Sequence, residues 1–145
     1  MTSILVLNGP NLGRLGSREP EVYGSETLDD IGRGLALAFP EAELELRQSD
    51  DEAELIGWLH EAVDRRVPVV LNPAAFTHYS YALRDAAAQL TSVGIPLVEV
   101  HLSNPHARES FRHTSVISGV ASGVVAGFGA DSYRLAVDWL LRTHG

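Results

Sequence analysis

The sequence predicts an α/β fold in which helices cover both faces of a five-stranded parallel sheet. Short apolar runs alternate with amphipathic helical patterns from one end of the chain to the other. Strands that alternate with helices form right-handed βαβ units, and such units build a parallel sheet. No linker or internal repeat interrupts the 145 residues, so we expect a single domain over residues 1–145.

The predicted strands differ in the spacing of their apolar residues. The first, residues 3–7, is a continuous apolar run, as expected for a parallel strand that is covered on both faces. The second, residues 42–47, alternates strictly, which indicates a strand at the edge of the sheet. With the second strand at an edge, the sheet fits the doubly wound order 2-1-3-4-5. The remaining predicted strands are residues 67–71, 95–100 and 123–127.

Apolar residues at spacings of three and four predict the helices between these strands. Thr27 opens the first helix, which ends before Pro40. Ser49 and Glu52 have the spacing of a capping box ahead of the second helix, whose apolar face lies within residues 55–63. The third predicted helix is residues 78–90, and the last is residues 131–142.

Charge and residue content exclude several functions. The net charge of −8 argues against nucleic acid and anionic membranes as partners. The absence of cysteine excludes disulfides, thiol catalysis and cysteine-bound zinc. All eleven basic residues are arginine, so a lysine Schiff base and a Walker A lysine are both impossible.

Two further patterns bear on location. Residues 114–130 are uncharged, but they are too few and too rich in glycine and serine to be a membrane span. The N-terminal residues enter a strand directly and lack the pattern of a signal peptide. We therefore expect a cytoplasmic protein without a membrane partner.

Polar side chains gather in the loops that follow the first, third and fourth strands. The carboxyl ends of parallel strands share one edge of the sheet, and ligands bind there. Arginines, amides, a tyrosine and histidines suit a small anionic, hydroxylated molecule whose protons are moved. The residues in these loops are Asn11, Arg14, Arg18, Tyr23, Asn72, His78, His101, Ser103, Arg108 and Arg112.

Three motifs in these loops carry a resemblance to a known family. Residues 9–16 read GPNLGRLG, residues 71–78 read LNPAAFTH, and residues 99–112 read EVHLSNPHARESFR. The chain thus resembles the type II 3-dehydroquinate dehydratases (type II dehydroquinases) over nearly its whole length. Ala74 and Ala75 stand where some members have glycine.

The resemblance implies a fold and an activity. The fold is flavodoxin-like, and the activity is that of a hydro-lyase that converts 3-dehydroquinate to 3-dehydroshikimate without cofactor or metal. The reaction serves the shikimate pathway toward chorismate and aromatic amino acids, or quinate breakdown. The family's assembly is a homododecamer of four trimers, and the last helix, apolar around most of its circumference, also predicts a homo-oligomer.

Removal of a proton beside a ketone needs a base whose pKa is brought toward neutrality. A phenol starts near pKa ~10, and an adjacent cation can lower that value by roughly 1–3 units. Tyr23 with Arg18 in the same loop meets this need, and Arg108 is an alternative cation. The resemblance implies that Tyr23 is the proton acceptor and that Arg18 stabilises the transition state. Asn11 would hold the enolate oxygen through a water, although a turn residue after Pro10 is the competing interpretation.

His101 is the predicted acid for the departing hydroxyl. Glu99 lies two residues earlier on the same strand, so both side chains project from one face. A carboxylate in that position fixes the tautomer of the imidazole and supports its charged form. A histidine buried in the core is the usual alternative, and the position at the end of the strand argues against it.

The resemblance also implies a set of substrate-binding residues. Backbone N–H groups of Leu102 and Ser103, with the Ser103 hydroxyl, suit a carboxylate, and Arg112 and His78 suit ring hydroxyls. Asp85 lies well inside a predicted helix, so its target would be the cavity of a neighbouring subunit; a solvated surface charge is the alternative. The set is Asn72, His78, Asp85, Leu102, Ser103 and Arg112.

Other functions fit the loops less well. The glycines of the first loop lack the spacing of a dinucleotide site, and a receiver domain needs an aspartate where Asn72 stands. A non-catalytic flavodoxin-like module that binds a small anion is the remaining alternative. Residues 9–25 show no helical or strand periodicity, and so long a loop is usually functional, so we expect an active-site lid there.

Overall fold

The computed structural model describes residues 1–17, 19–23 and 25–144, with the backbone alone at Pro20 and Tyr23. The strands are β1 (Thr2–Asn8), β2 (Ala42–Gln48), β3 (Val69–Asn72), β4 (Leu97–His101) and β5 (Gly123–Ala126). They are parallel and form one sheet in the order β2-β1-β3-β4-β5. The predicted flavodoxin-like, doubly wound sheet of order 2-1-3-4-5 is therefore confirmed.

Helices lie on both faces of the sheet and cover its apolar side chains. The helices are α1 (Pro20–Tyr23), α2 (Leu28–Ala38), α3 (Glu52–Arg65), α4 (Tyr81–Ser92) and α5 (Asp131–His144). On one face, Leu5 and Leu71 pack in a core with residues of α3 and α4. On the other face, Val6 and Val70 pack with residues of α2 and α5. Both faces of β1 and β3 are buried, as their continuous apolar runs predict.

The strand β2 lies at the edge of the sheet, as its alternating pattern predicts. Its residues all keep some exposure to solvent. Glu45 and Arg47 of β2 form ion pairs with Glu61 and Arg65 of α3. Charged side chains on an edge strand hinder its pairing with the edge of another chain.

Two predicted helix starts are wrong. Ser49 and Glu52 do not form a capping box: the N-cap of α3 is Asp51, whose carboxylate accepts from the N–H of Ala53. The Ser49 hydroxyl instead accepts from the N–H of Asp51 and so shapes the turn before the helix.

The third helix also begins later than its predicted start at residue 78. Residues Ala74–His78 form a 3₁₀ turn, and α4 starts after the N-cap Ser80, whose hydroxyl accepts from the N–H of Leu83. A serine N-cap satisfies a free N–H of the first turn, and this local bond sets the boundary. The shift places His78 in a loop at the carboxyl edge of the sheet.

The first loop has more regular structure than its sequence predicts. A 3₁₀ turn covers Leu12–Arg14, and α1 covers Pro20–Tyr23. Leu12 and Leu15 are buried against the face formed by α2 and α5. These apolar anchors are too few and too unevenly spaced to give a periodic signal. Among the described residues, no helix is long and apolar enough to cross a membrane.

Candidate active site

A cavity of about 180 Å³ opens at the carboxyl ends of β1, β3 and β4. Parallel pairing aligns these ends, so that the last residue of β1, Asn8, lies opposite Asn72 of β3. Eight of the predicted site residues line the cavity together, although their loops are far apart in the sequence. They are Asn11, Asn72, His78, His101, Leu102, Ser103, Arg108 and Arg112.

Two of the four other predicted site residues, Glu99 and Asp85, lie away from the cavity wall. Glu99 is buried behind His101 rather than on the cavity wall. Asp85 is exposed on α4, where its carboxylate accepts from Arg84 at 3.0 Å. Arg18 and the side chain of Tyr23 fall outside what the structure describes.

The imidazole of His101 is held by a buried carboxylate. Its Nε2 lies 2.5 Å from Oε2 of Glu99, and the Glu99 residue is 0% exposed. Nε2 therefore donates to the carboxylate, which leaves Nδ1 as the ring nitrogen for a ligand in the cavity. The two residues lie on one face of β4, as their spacing predicts.

Three hydroxyls complete the surroundings of Glu99. Thr77 donates to Oε2 at 2.6 Å and Ser118 to Oε1 at 2.5 Å, while the Ser115 hydroxyl lies 3.1 and 3.2 Å from the two oxygens. Burial works to raise the pKa of Glu99. The hydrogen bond and charge of His101, with the hydroxyls of Ser118 and Thr77, outweigh burial and keep that pKa below its ordinary value. Glu99 is thus an anion at neutral pH.

Arginines and a second histidine form another wall of the cavity. Arg108 donates to the hydroxyl of Ser103 at 3.2 Å, and Arg112 donates to Glu109 at 3.0 Å. Nδ1 of His78 donates to the carbonyl of Thr114 at 2.7 Å, which leaves its Nε2 for a ligand. Guanidinium groups bind carboxylates and hydroxyls well, so this wall suits a small oxygen-rich anion.

Comparisons with known proteins identify the family to which this chain belongs. The family model described as dehydroquinase class II matches residues 2–141. The chain belongs to this family. It is 61% identical over 139 residues to the 3-dehydroquinate dehydratase of Kineococcus radiotolerans, covering 94% of this chain and 93% of that one. It is 53% identical to the 3-dehydroquinate dehydratase of Bacillus subtilis, covering 100% and 97% of the two chains.

A solved structure supports the same family assignment. The crystal structure of type II dehydroquinase from Propionibacterium acnes superposes with a TM-score of 0.93 at 50% identity, covering 98% of this chain and 97% of that chain. The resemblance drawn from the three motifs is confirmed, and with it the enzyme class, a hydro-lyase. A non-catalytic binding module is not favoured.

The base of the first loop is held by residues at the end of β2 and just after it. Asn11 adopts a left-handed backbone conformation with φ 68°, and its N–H donates to Asp50 at 2.8 Å. Gln48 donates both to the carbonyl of Gly9 at 3.2 Å and to the carboxylate of Asp50 at 3.1 Å. A Cβ at Gly9 would lie 2.7 Å from the carbonyl oxygen of Pro73, so only glycine allows the two loops to approach so closely.

Several residues that support the site are not predicted from the sequence. Thr77 lies inside a motif, but Ser115 and Ser118 lie in the uncharged segment, which has no distinctive pattern. Tyr133 comes from the last helix and reaches Asn72 from behind the cavity. Within the described part of the chain, no cluster of three or more histidine, aspartate or glutamate side chains is placed to hold a metal ion.

Proposed function

We propose that this chain dehydrates 3-dehydroquinate to 3-dehydroshikimate through an enolate, with Tyr23 as base and His101 as acid. The observation that carries the proposal is the pair of His101 and buried Glu99 at a cavity lined by Arg108 and Arg112. An anionic substrate and a proton donor are thereby brought to the same small volume. The family membership supports the substrate, and the shikimate pathway is the corresponding role.

The second half of the reaction belongs to His101. Its protonated imidazole gives a proton to the β-hydroxyl of the enolate, the C–O bond breaks, and water leaves as the enolate electrons form the new C=C bond. Glu99 supports the charged imidazole and fixes its ring. A positioned acid of this kind contributes about 10²–10⁴-fold to the rate.

The first half needs a base that removes the proton beside the ketone. Tyr23 in its phenolate form takes that proton, with Arg18 or Arg108 as the cation that lowers its pKa. The chain contains no lysine, so no imine forms on a lysine side chain and the enolate itself must be stabilised. Asn11, at the cavity wall, is the proposed holder of the enolate oxygen through a water.

Substrate binding uses the remaining wall. The N–H groups of Leu102 and Ser103 bind the carboxylate, while Arg112, His78 and Asn72 bind ring hydroxyls. Asp85 is exposed, so its proposed target is the cavity of a neighbouring subunit. A homododecamer of four trimers remains a prediction that light scattering tests, and a cytoplasmic location also remains a prediction. A lid over residues 9–25 is likewise still a prediction. Trypsin cleavage that is slower with product bound than without it would support this prediction.

The experiment is an absorbance assay of the conjugated enone product. The purified protein with 3-dehydroquinate should produce 3-dehydroshikimate, and Tyr23→Phe should lower kcat by about 10²–10⁴-fold with little change in substrate binding. His60→Gln, at an exposed position away from the cavity, is the control and should match the wild type. No product at high enzyme concentration would refute the activity. Tyr23→Phe within tenfold of wild type would remove Tyr23 from the role of base.

A further inference from the structure

Behind the cavity, three buried polar side chains form a hydrogen-bonded chain. The hydroxyl of Tyr133 accepts from Nδ2 of Asn72 at 2.9 Å and donates to Oδ1 of Asn8 at 2.6 Å. Asn8 and Tyr133 are 0% exposed and Asn72 is 3% exposed. Of the three, Asn72 alone lines the cavity.

Backbone groups at both ends of this hydrogen-bonded series fix which atom donates and which accepts at each step. The N–H of Ala74 donates to Asn72 at 3.1 Å, and because an N–H can only donate, the atom facing it must be the oxygen Oδ1. The amide nitrogen of Asn72 therefore faces Tyr133.

The far end is fixed in the same way. Nδ2 of Asn8 donates to the carbonyls of Val6 at 3.3 Å and Arg47 at 3.0 Å, which can only accept. Oδ1 of Asn8 must then face Tyr133 and accept from it. Burial also raises the pKa of Tyr133 above its ordinary value, so its hydroxyl keeps its proton. Tyr133 is left with one arrangement, in which it accepts from Asn72 and donates to Asn8.

We propose that Tyr133 is a positioning residue for substrate binding, which holds the Asn72 amide so that its second N–H points to the ligand. One hydrogen of Asn72 Nδ2 is donated to the Tyr133 hydroxyl, which leaves the other to donate to a ligand in the cavity. The inference rests on the proposed function, since it assigns to Asn72 a hydroxyl of 3-dehydroquinate. Helix α5, which carries Tyr133, thereby contributes to a cavity that it does not line.

Tyr133→Phe removes the hydroxyl and keeps the ring that fills the core. Asn72 keeps its bond from Ala74 but loses the partner that fixes its nitrogen. We expect KM for 3-dehydroquinate to rise about 3- to 10-fold, the value of one hydrogen bond, with kcat within about twofold of wild type. The double variant Tyr133→Phe/Asn72→Ala should have the KM of Asn72→Ala alone, because both act on one contact.

Ser132→Ala is the matched control. Ser132 is 0% exposed, precedes Tyr133 on α5, and its hydroxyl accepts from the N–H of Phe128 at 3.2 Å, away from the cavity. Ser132→Ala loses one part-buried hydrogen bond and Tyr133→Phe loses two buried ones, so thermal stability should fall in both variants, whereas KM should rise only in Tyr133→Phe. An unchanged KM in Tyr133→Phe, an equal rise in Ser132→Ala, or additive effects in the double variant would overturn the inference.

NMR of the Asn72 side chain in the wild type tests the same contact without a variant or substrate. The Nδ2 proton that donates to Tyr133 should give a strong through-space contact (NOE) to the Tyr133 side chain, and the other Nδ2 proton should not. No such contact from either proton would overturn the inference even if Tyr133→Phe does not fold. A wild type that fails to convert 3-dehydroquinate would refute the proposed activity, and this NOE pattern would still decide the orientation of Asn72.

Discussion

Glu99 and Glu61 are both carboxylates whose pKa lies below the ordinary value, but the molecule stabilises them by different means. Glu61 is half-exposed beside the edge strand, and its pKa falls to about 2 because Arg47 and then Arg65 donate to it. Glu99 is fully buried, and its anion is held by His101 and by neutral hydroxyls. The surface carboxylate is stabilised by opposite charges, whereas the buried carboxylate is stabilised by one imidazole and by the dipoles of neutral hydroxyls.

The difference follows from solvation. At the surface, water screens each ion pair, so the pairs contribute little to stability but keep an edge strand charged. In the interior, a second permanent charge would itself have to be desolvated, which is costly. Hydroxyls satisfy the carboxylate without adding charge, so His101 remains the partner that can change protonation. A buried anion whose neighbours are neutral is suited to bias a proton on one imidazole.

The largest expected effect is that of Glu99→Gln. The amide offers one acceptor oxygen where the carboxylate offers two, and its NH₂ faces groups that donate. His101 loses its anionic support, so we expect kcat to fall by about 10²-fold or more in the enone assay. Glu61→Gln is the control and should keep the wild-type kcat. Equal, small effects in the two variants would contradict the contrast between the regions.

Ser118→Ala should have an intermediate effect. It removes one donor at 2.5 Å and leaves His101 in place, so the free energy of unfolding in urea should fall by about 1–3 kcal/mol. The pKa of Glu99 should rise because its anion has lost a partner. A carboxylate whose pKa is lowered by folding stabilises the fold at pH values above its ordinary pKa, and this stability is lost as the pH falls. Because the pKa of Glu99 is higher in the variant, the loss should begin at a higher pH.

Ser92→Ala is the control for Ser118→Ala. Ser92 is exposed at the end of α4, and its hydroxyl donates to the carbonyl of Gln89 at 3.1 Å. The substitution should leave both the stability and its pH dependence close to wild type. An acid unfolding curve for Ser118→Ala that coincides with that of Ser92→Ala would show that the Ser118 hydroxyl does not stabilise the Glu99 anion.

The two regions also differ in how far the sequence predicts them. The edge position of β2 follows from its alternating pattern, because one face of that strand meets solvent. The pairing of Glu99 with His101 follows from their spacing of two on a strand, which is local geometry. The cavity wall follows from the rule that parallel strands end together.

What the sequence does not predict depends on long-range packing. Ser118 meets Glu99 across 19 positions and Tyr133 meets Asn8 across 125, and neither contact leaves a periodic or motif signal. The helix start at Tyr81 and the N-cap at Asp51 depend on which of several nearby polar side chains turns toward a free N–H, and spacing alone does not decide that.

The smallest expected effect is that of Glu61→Gln on stability. The Glu61 side chain is 36% exposed, and Arg47 and Arg65 lie 2.8 and 2.7 Å from it. Solvent screening limits its contribution to about 1 kcal/mol or less, despite its pKa of about 2. Because that pKa is lowered, the contribution is present above the ordinary value of 4.5 and disappears as pH falls toward 2. Wild type and variant should therefore differ slightly in urea unfolding at pH 7 and converge near pH 2 to 3. A gap that persists at low pH, or that is insensitive to added salt at pH 7, would mean that Glu61 contributes through packing rather than charge.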